Sequence, residues 1–206
     1  MRASSLVLVV LACAPRCARG GQADASKPHA HTGIIKKYER VPPSAIGLGK
    51  LGVSDEELRR GEPTLKKMSL PGGFTRAVSI QDVHAPEKVI FSAINDLPNY
   101  PKYVDGVVKC AVYSKEKSMS GQTVVCSEYK LKSHGVSLTY FMRHIYEPKK
   151  HCMTFHLDYE RCSDLSDSVG YWYVENGGAT RSDEPAAPKV ARPPHHASLG
   201  ATLQVR

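Results

Sequence analysis

The side chains best suited to proton transfer, nucleophilic attack or metal ligation in this 206-residue chain are nine His, six Cys and 20 Asp+Glu. Chemistry requires them at particular spacings, and those spacings are missing. There is no C-x-x-C, no H-E-x-x-H, no G-x-S-x-G and no phosphate-binding loop. A literal G-x-G-x-x-G does occur, from Gly47 to Gly52, but a dinucleotide fingerprint must follow a buried strand and open a helix. Val41-Pro42-Pro43-Ser44 precedes it, so it reads as a Gly-rich linker. His195 and His196 are adjacent in a Pro- and Ala-rich stretch and read as solvated surface. Asp96 and Asp105 flank a Tyr-Pro segment, where capping and turn roles are the common ones. His144 is the histidine to watch, although no carboxylate or cysteine is spaced to orient it, and a satisfied core histidine is the commoner role. No catalytic residue, metal site or cofactor is assigned.

Net charge is +8, yet it sits mostly in the ends. Residues 1–20 carry three Arg and no acid, and residues 176–206 carry four basic and two acidic side chains. Between them stand 21 basic and 18 acidic residues, too even for the focused basic face a nucleic-acid binder needs. Nucleic acid is therefore not an expected partner. Arg2 precedes the apolar run 6–14, too short to span a bilayer but right for the core of a signal peptide, with Ala18 and Gly20 as small residues at the cleavage spacing. A buried first strand is the weaker reading, since Pro15, Arg16 and Arg19 follow at once. Residues 1–20 are thus expected to be a targeting peptide that opens the secretory pathway. Four cysteines then remain: Cys110, Cys126, Cys152 and Cys162.

Residues 21–74 form a polar lead-in, punctuated by Pro and Gly, with one short helix signal: Ser54 as N-cap and Glu57 at the capping-box position. From Thr75 the texture changes. Residues 76–84 alternate as a strand. Residues 87–95 carry a helical stripe of Val89, Ile90, Ala93 and Ile94, and residues 97–103 read as a second short helix or a pair of turns. Five strand candidates follow, at 107–117, 122–133, 136–146, 151–159 and 168–175, separated by short turns that dictate antiparallel hairpins. Strand, helices and then a meander make an α+β domain over 75–175. Residues 176–206, with Pro185, Pro188, Pro193 and Pro194, have no helical periodicity and read as a disordered tail.

The turns also set register. His134-Gly135 as a two-residue loop pairs Leu131 with Leu138, Tyr129 with Tyr140 and Ser127 with Met142. Pro148-Lys149, taken likewise, places Met142 opposite Phe155 and turns His144 toward Met153. One face then collects Val125, Tyr129, Leu131, Leu138, Tyr140, Met142, Met153, Phe155 and Leu157, while Glu128, Lys130, Arg143, Thr154, His156 and Asp158 point to water. Lys109, Lys115 and Lys117 turn Val108, Cys110 and Val112 to the apolar side, while Cys126 and Cys152 point the other way. No disulfide within the sheet is expected. Unpaired thiols sit awkwardly with a long stay outside the cell, so a plastid reached through a bipartite presequence is the alternative address.

The order of these segments resembles the START-like superfamily, also called the polyketide cyclase/dehydrase-like or coenzyme Q-binding START-like family. The residues that carry the likeness are Val78-Ser79-Ile80-Gln81-Asp82-Val83-His84-Ala85-Pro86-Glu87-Lys88-Val89, then Asp96-Leu97-Pro98-Asn99-Tyr100-Pro101-Lys102-Tyr103-Val104, and last Gly170-Tyr171-Trp172-Tyr173 within 164–175. The resemblance implies a helix-grip fold, a curved antiparallel sheet around a long carboxy-terminal helix enclosing a hydrophobic cavity. The strand and helix that should follow Glu175 are not evident, so the domain is expected to be incomplete at its carboxy end. The ligand class implied is a lipid, isoprenoid quinone or polyketide-like molecule, with transient membrane contact as a corollary. Register then supplies its lining: Val78, Tyr103 and Val125, with Tyr129, Leu138 and Tyr140, and Met142, Phe155 and Tyr171. Rival expectations are an aromatase/cyclase in which a Tyr or His144 moves a proton, and an interaction or assembly factor that uses the sheet's outer face.

Overall fold

Most segments of period-two alternation become strands in the computed structural model, which describes residues 4–13, 23–33, 42, 45, 52–60, 64–70, 74–133 and 135–176. In chain order the elements are β1 (Ser4–Cys13), α1 (Asp55–Arg59), β2 (Thr64–Leu70), β3 (Phe74–Val83), α2 (Glu87–Ile94), a single 3-10 turn at Leu97–Asn99 and α3 (Tyr100–Tyr103). The meander follows as β4 (Val107–Lys117), β5 (Thr123–Ser133), β6 (Val136–Glu147), β7 (Cys152–Leu157) and β8 (Ser168–Asn176). The fold is α+β. One eight-stranded sheet runs in the order β2-β3-β1-β8-β7-β6-β5-β4, and each neighbouring pair is antiparallel. The expected tail beyond Asn176 and most of the Gly47–Gly52 linker lie outside the described residues.

Local chemistry explains the helix ends. Ser54 Oγ accepts from the Glu57 amide at 3.2 Å, and the Glu57 carboxylate accepts from the Ser54 amide at 2.8 Å, closing the capping box. Two strands lie outside the expected pattern. β2 was hidden because Lys66-Lys67 interrupts its alternation. β1 overlaps the apolar run 6–14 read as a leader core, because an apolar strand and a signal core share one composition.

The β5–β6 hairpin has the expected register: Leu131 opposes Leu138, Tyr129 opposes Tyr140 and Ser127 opposes Met142. Gly135 closes it at a φ of 80°, a left-handed conformation that costs an L side chain about 1 kcal/mol. Gly135→Ala should therefore lower stability by about that amount, read from urea midpoints, although its Cβ would meet open space. The next hairpin differs. Glu147 pairs with Cys152 around a 3-10 turn at Pro148–Lys150 and a left-handed His151 at φ 52°, so Met142 opposes Leu157 and His144 opposes Phe155. The slip is two residues, which preserves every side chain's face.

On β4 the alternation breaks twice, at irregularities between Val107 and Lys109 and between Val112 and Ser114. Val107 and Cys110 therefore turn inward, while Val108 and Val112 are exposed, contrary to the simple alternation. The expectation of a wet outer face also needs correction. Phe141, Cys152, Thr154, Asp158, Val169 and Tyr171 on that side are buried. The cause is residues 23–33 and the 158–167 loop, which fold together over it. Asp24 bridges to Cys162, Ser163 Oγ accepts from the Phe141 amide at 3.0 Å, and His29 Nε2 lies 3.0 Å from the Ser166 carbonyl. Cys110, Cys126, Cys152 and Cys162 are free thiols.

Candidate functional site

Across the inner face of the meander lie α2, the 3-10 turn and α3. Ile90, Phe91 and Ile94 recur at helical spacing and are buried with Leu97 against the sheet. Tyr100 Oη donates to the Ile94 carbonyl at 2.6 Å, and Asn95 Nδ2 donates to the Phe91 carbonyl at 2.7 Å, so α2 ends tied to the segment that follows. Tyr100 then meets Tyr129 edge to face at 6.1 Å between ring centroids, and Tyr129 stacks on Tyr140 at 5.1 Å with the rings nearly parallel.

Polar atoms are embedded in this apolar cluster. Tyr129 Oη and His144 Nε2 are 3.2 Å apart, in a buried pair. His144 Nδ1 has no hydrogen-bond partner, and Ser127 Oγ makes no hydrogen bond of good geometry, although it lies near enough to the Cys110 thiol to act on it; both atoms are buried. Ser127 opposes Met142, while His144 opposes Val125, so the two orphaned groups are diagonal neighbours on one face. Cys110, paired with Tyr129 across the strands, joins them from β4. Leaving such a group unsatisfied costs about 1–3 kcal/mol.

Burial dominates the electrostatics. It holds His144 down to about 3, with the nearby His156 adding to the effect, so the ring is neutral at physiological pH. Burial pushes the Cys110 thiol up to about 11, against the smaller opposing effect of the Tyr129 and Ser127 hydroxyls. The phenols of Tyr100, Tyr129 and Tyr140 are likewise raised by burial first. Each of these groups is neutral near pH 7. The site can donate and accept hydrogen bonds inside an apolar shell, and it holds no charge.

Of the residues expected to line a site, Val125, Tyr129, Leu138, Met142 and Phe155 are buried in this cluster, and Tyr140 packs against it. Three are elsewhere. Tyr103 is half exposed on α3. Tyr171 opposes Thr154 while its neighbour Trp172 opposes Met153, so strand alternation sends Tyr171 to the outer side and Trp172 to the inner one. Val78 lies across β1 from Tyr171, each opposing Val9, and shares that outer side. Val83 and Ala85, at the end of β3 and just beyond it, pack against the cluster in Val78's place. Ser127 was missed, although its place between Val125 and Tyr129 in the alternation marks it as inward-facing.

A second polar group lies on the outer side. Tyr113 Oη donates to Asp158 Oδ2 at 2.5 Å, with the Arg161 guanidinium 4.0 Å above the Tyr113 ring. Tyr159 Oη donates to Asp167 Oδ1 at 2.7 Å, and the Ser168 amide donates to the same oxygen at 2.8 Å. These polar atoms are paired with one another and read as structure that fastens the 158–167 loop. Among the described residues no group of three or more His, Cys, Asp or Glu is placed to hold a metal ion, and no helix is long and apolar enough to cross a membrane. Comparison with known proteins finds no match among protein-family models, curated proteins or solved structures.

Proposed function

We propose that this chain binds a hydrophobic ligand bearing one or two oxygen functions, a lipid, isoprenoid quinone or polyketide-like molecule, over the inner sheet face, in a START-like domain of helix-grip type. The observation that carries the reading is the pair of orphaned groups, Ser127 Oγ and His144 Nδ1, buried side by side among aromatic and aliphatic side chains. A buried hydroxyl and imidazole without partners suit a carbonyl or hydroxyl on an otherwise apolar molecule, with affinity coming chiefly from apolar area at ~25 cal/mol per Å². The charge state favours binding over proton transfer. His144 is held down to about 3 and the Tyr129 phenol is well raised, so neither titrates near neutrality as a general acid or base should. Entry into the secretory pathway through residues 1–20 belongs to the same proposal and is tested by amino-terminal sequencing of protein recovered from cells, where an intact Met1 contradicts it.

The test of binding is native mass spectrometry after incubation with a total lipid extract. The expected result is a retained species of lipid or quinone mass in wild-type protein, lost when Met142 is replaced by Asp. Protein that arrives empty and takes up neither extract lipid nor a fluorescent fatty acid contradicts the reading.

A further inference from the structure

The two arms of the sheet are joined by one strand. In the order β2-β3-β1-β8, β1 pairs antiparallel with β3 over Ser4–Cys13 and antiparallel with β8 over Ser4–Ala12. β3 and β8 therefore run parallel to each other, about 9.5 Å apart, and share no ladder of their own. Without β1, each would present a row of unpaired backbone N–H and C=O groups, and such an edge is a template for a strand. The side chains beside that gap are apolar and buried: Val78 and Ile80 on β3, Val169 and Tyr171 on β8. The resident segment, Ser4-Ser5-Leu6-Val7-Leu8-Val9-Val10-Leu11-Ala12-Cys13, has no charged residue and carries three Val, a composition that suits an interior strand.

We propose that the space between β3 and β8 is a strand-receiving site, and that its occupant is this chain's own Ser4–Cys13, held by backbone pairing on both edges rather than by its covalent link to the rest of the chain. Cutting the chain between Cys13 and Ala23 then leaves the segment in place, because main-chain hydrogen bonds to both neighbouring strands hold it. The inference is independent of any ligand over the inner face.

The test uses the full chain with a protease site placed between Cys13 and Ala23. After cutting under native conditions, the amino-terminal fragment is expected to co-elute with the remainder in equimolar amount on gel filtration. Val9 opposes both Val78 and Tyr171, and in a strand paired on both edges its amide is used by one neighbour or the other. A Val9→Pro chain cut in the same way should retain its fragment at least tenfold less. Hydrogen exchange on the cut wild-type protein serves as the measurement that does not depend on the variant. Amides of Val78, Ser79 and Ile80 and of Val169, Gly170 and Tyr171 should stay slow. A wild-type fragment that separates, a Val9→Pro fragment retained equally well, or fast exchange along either flank would each overturn the proposal.

Discussion

Replacing Tyr140 by Asp is expected to abolish uptake of a fluorescent fatty acid, whereas Lys130→Asp leaves uptake unchanged. Tyr140 stacks on Tyr129 and packs against the buried cluster, so a carboxylate at this position would be desolvated and without a cation. That costs on the order of several kcal/mol unless the acid takes up a proton. Lys130 opposes Thr139 on the other side of the same hairpin and does not enter the cluster. Tyr140→Phe separates the hydroxyl from the ring. It keeps the stacked aromatic area and should weaken binding by about 0.5–1.5 kcal/mol if the phenol orients the ligand. Circular dichroism of the three variants controls for unfolding. Equal damage from the two Asp substitutions at equal fold content contradicts the assignment of the inner face as the binding surface.

The second large effect is acid sensitivity centred on His144. Burial holds its folded-state value down to about 3, against 6.5 for an ordinary imidazole, so the unfolded chain takes up the proton first. The stabilisation is complete above pH 6.5 and is lost progressively as pH falls toward 3. At pH 4.5 the loss is on the order of 3 kcal/mol. His144→Leu keeps the site filled and removes the titration. Urea midpoints at pH 7 and pH 4.5 should fall much further for wild type than for this variant. An equal fall in both would place the acid response on other groups.

Much of the sheet was legible because period-two alternation and one strong turn specify it together. The His134-Gly135 loop fixed β5 against β6, since a glycine able to adopt positive φ stood between two alternating segments. At Pro148 the reading slipped by two residues, because a 3-10 turn followed by left-handed His151 cannot be told from a tight loop by composition. The face of each residue survived, since the slip was even. On β4 the irregularities defeated alternation outright, and Val108 and Val112 turned outward. Tyr171 was expected in the lining, but pairing with β7 sends it outward and turns its neighbour Trp172 inward. The outer face looked wet from Glu128, Lys130 and Arg143, and only the long-range contact between residues 23–33 and the 158–167 loop shows how its β6–β8 end is covered. The orphaned Ser127 hydroxyl depends on what surrounds it in three dimensions, which no local pattern reports.

Ser127→Ala tests the central claim most directly. If the buried hydroxyl stands ready for a ligand oxygen, deleting it should relieve an unsatisfied group in the free protein and weaken the complex. The urea midpoint of Ser127→Ala without ligand is then expected to equal or exceed that of wild type, while its affinity for a fluorescent fatty acid falls about 3- to 10-fold, as the loss of one hydrogen bond implies. Wild-type affinity in the variant, or a loss of stability with binding unchanged, would contradict the account.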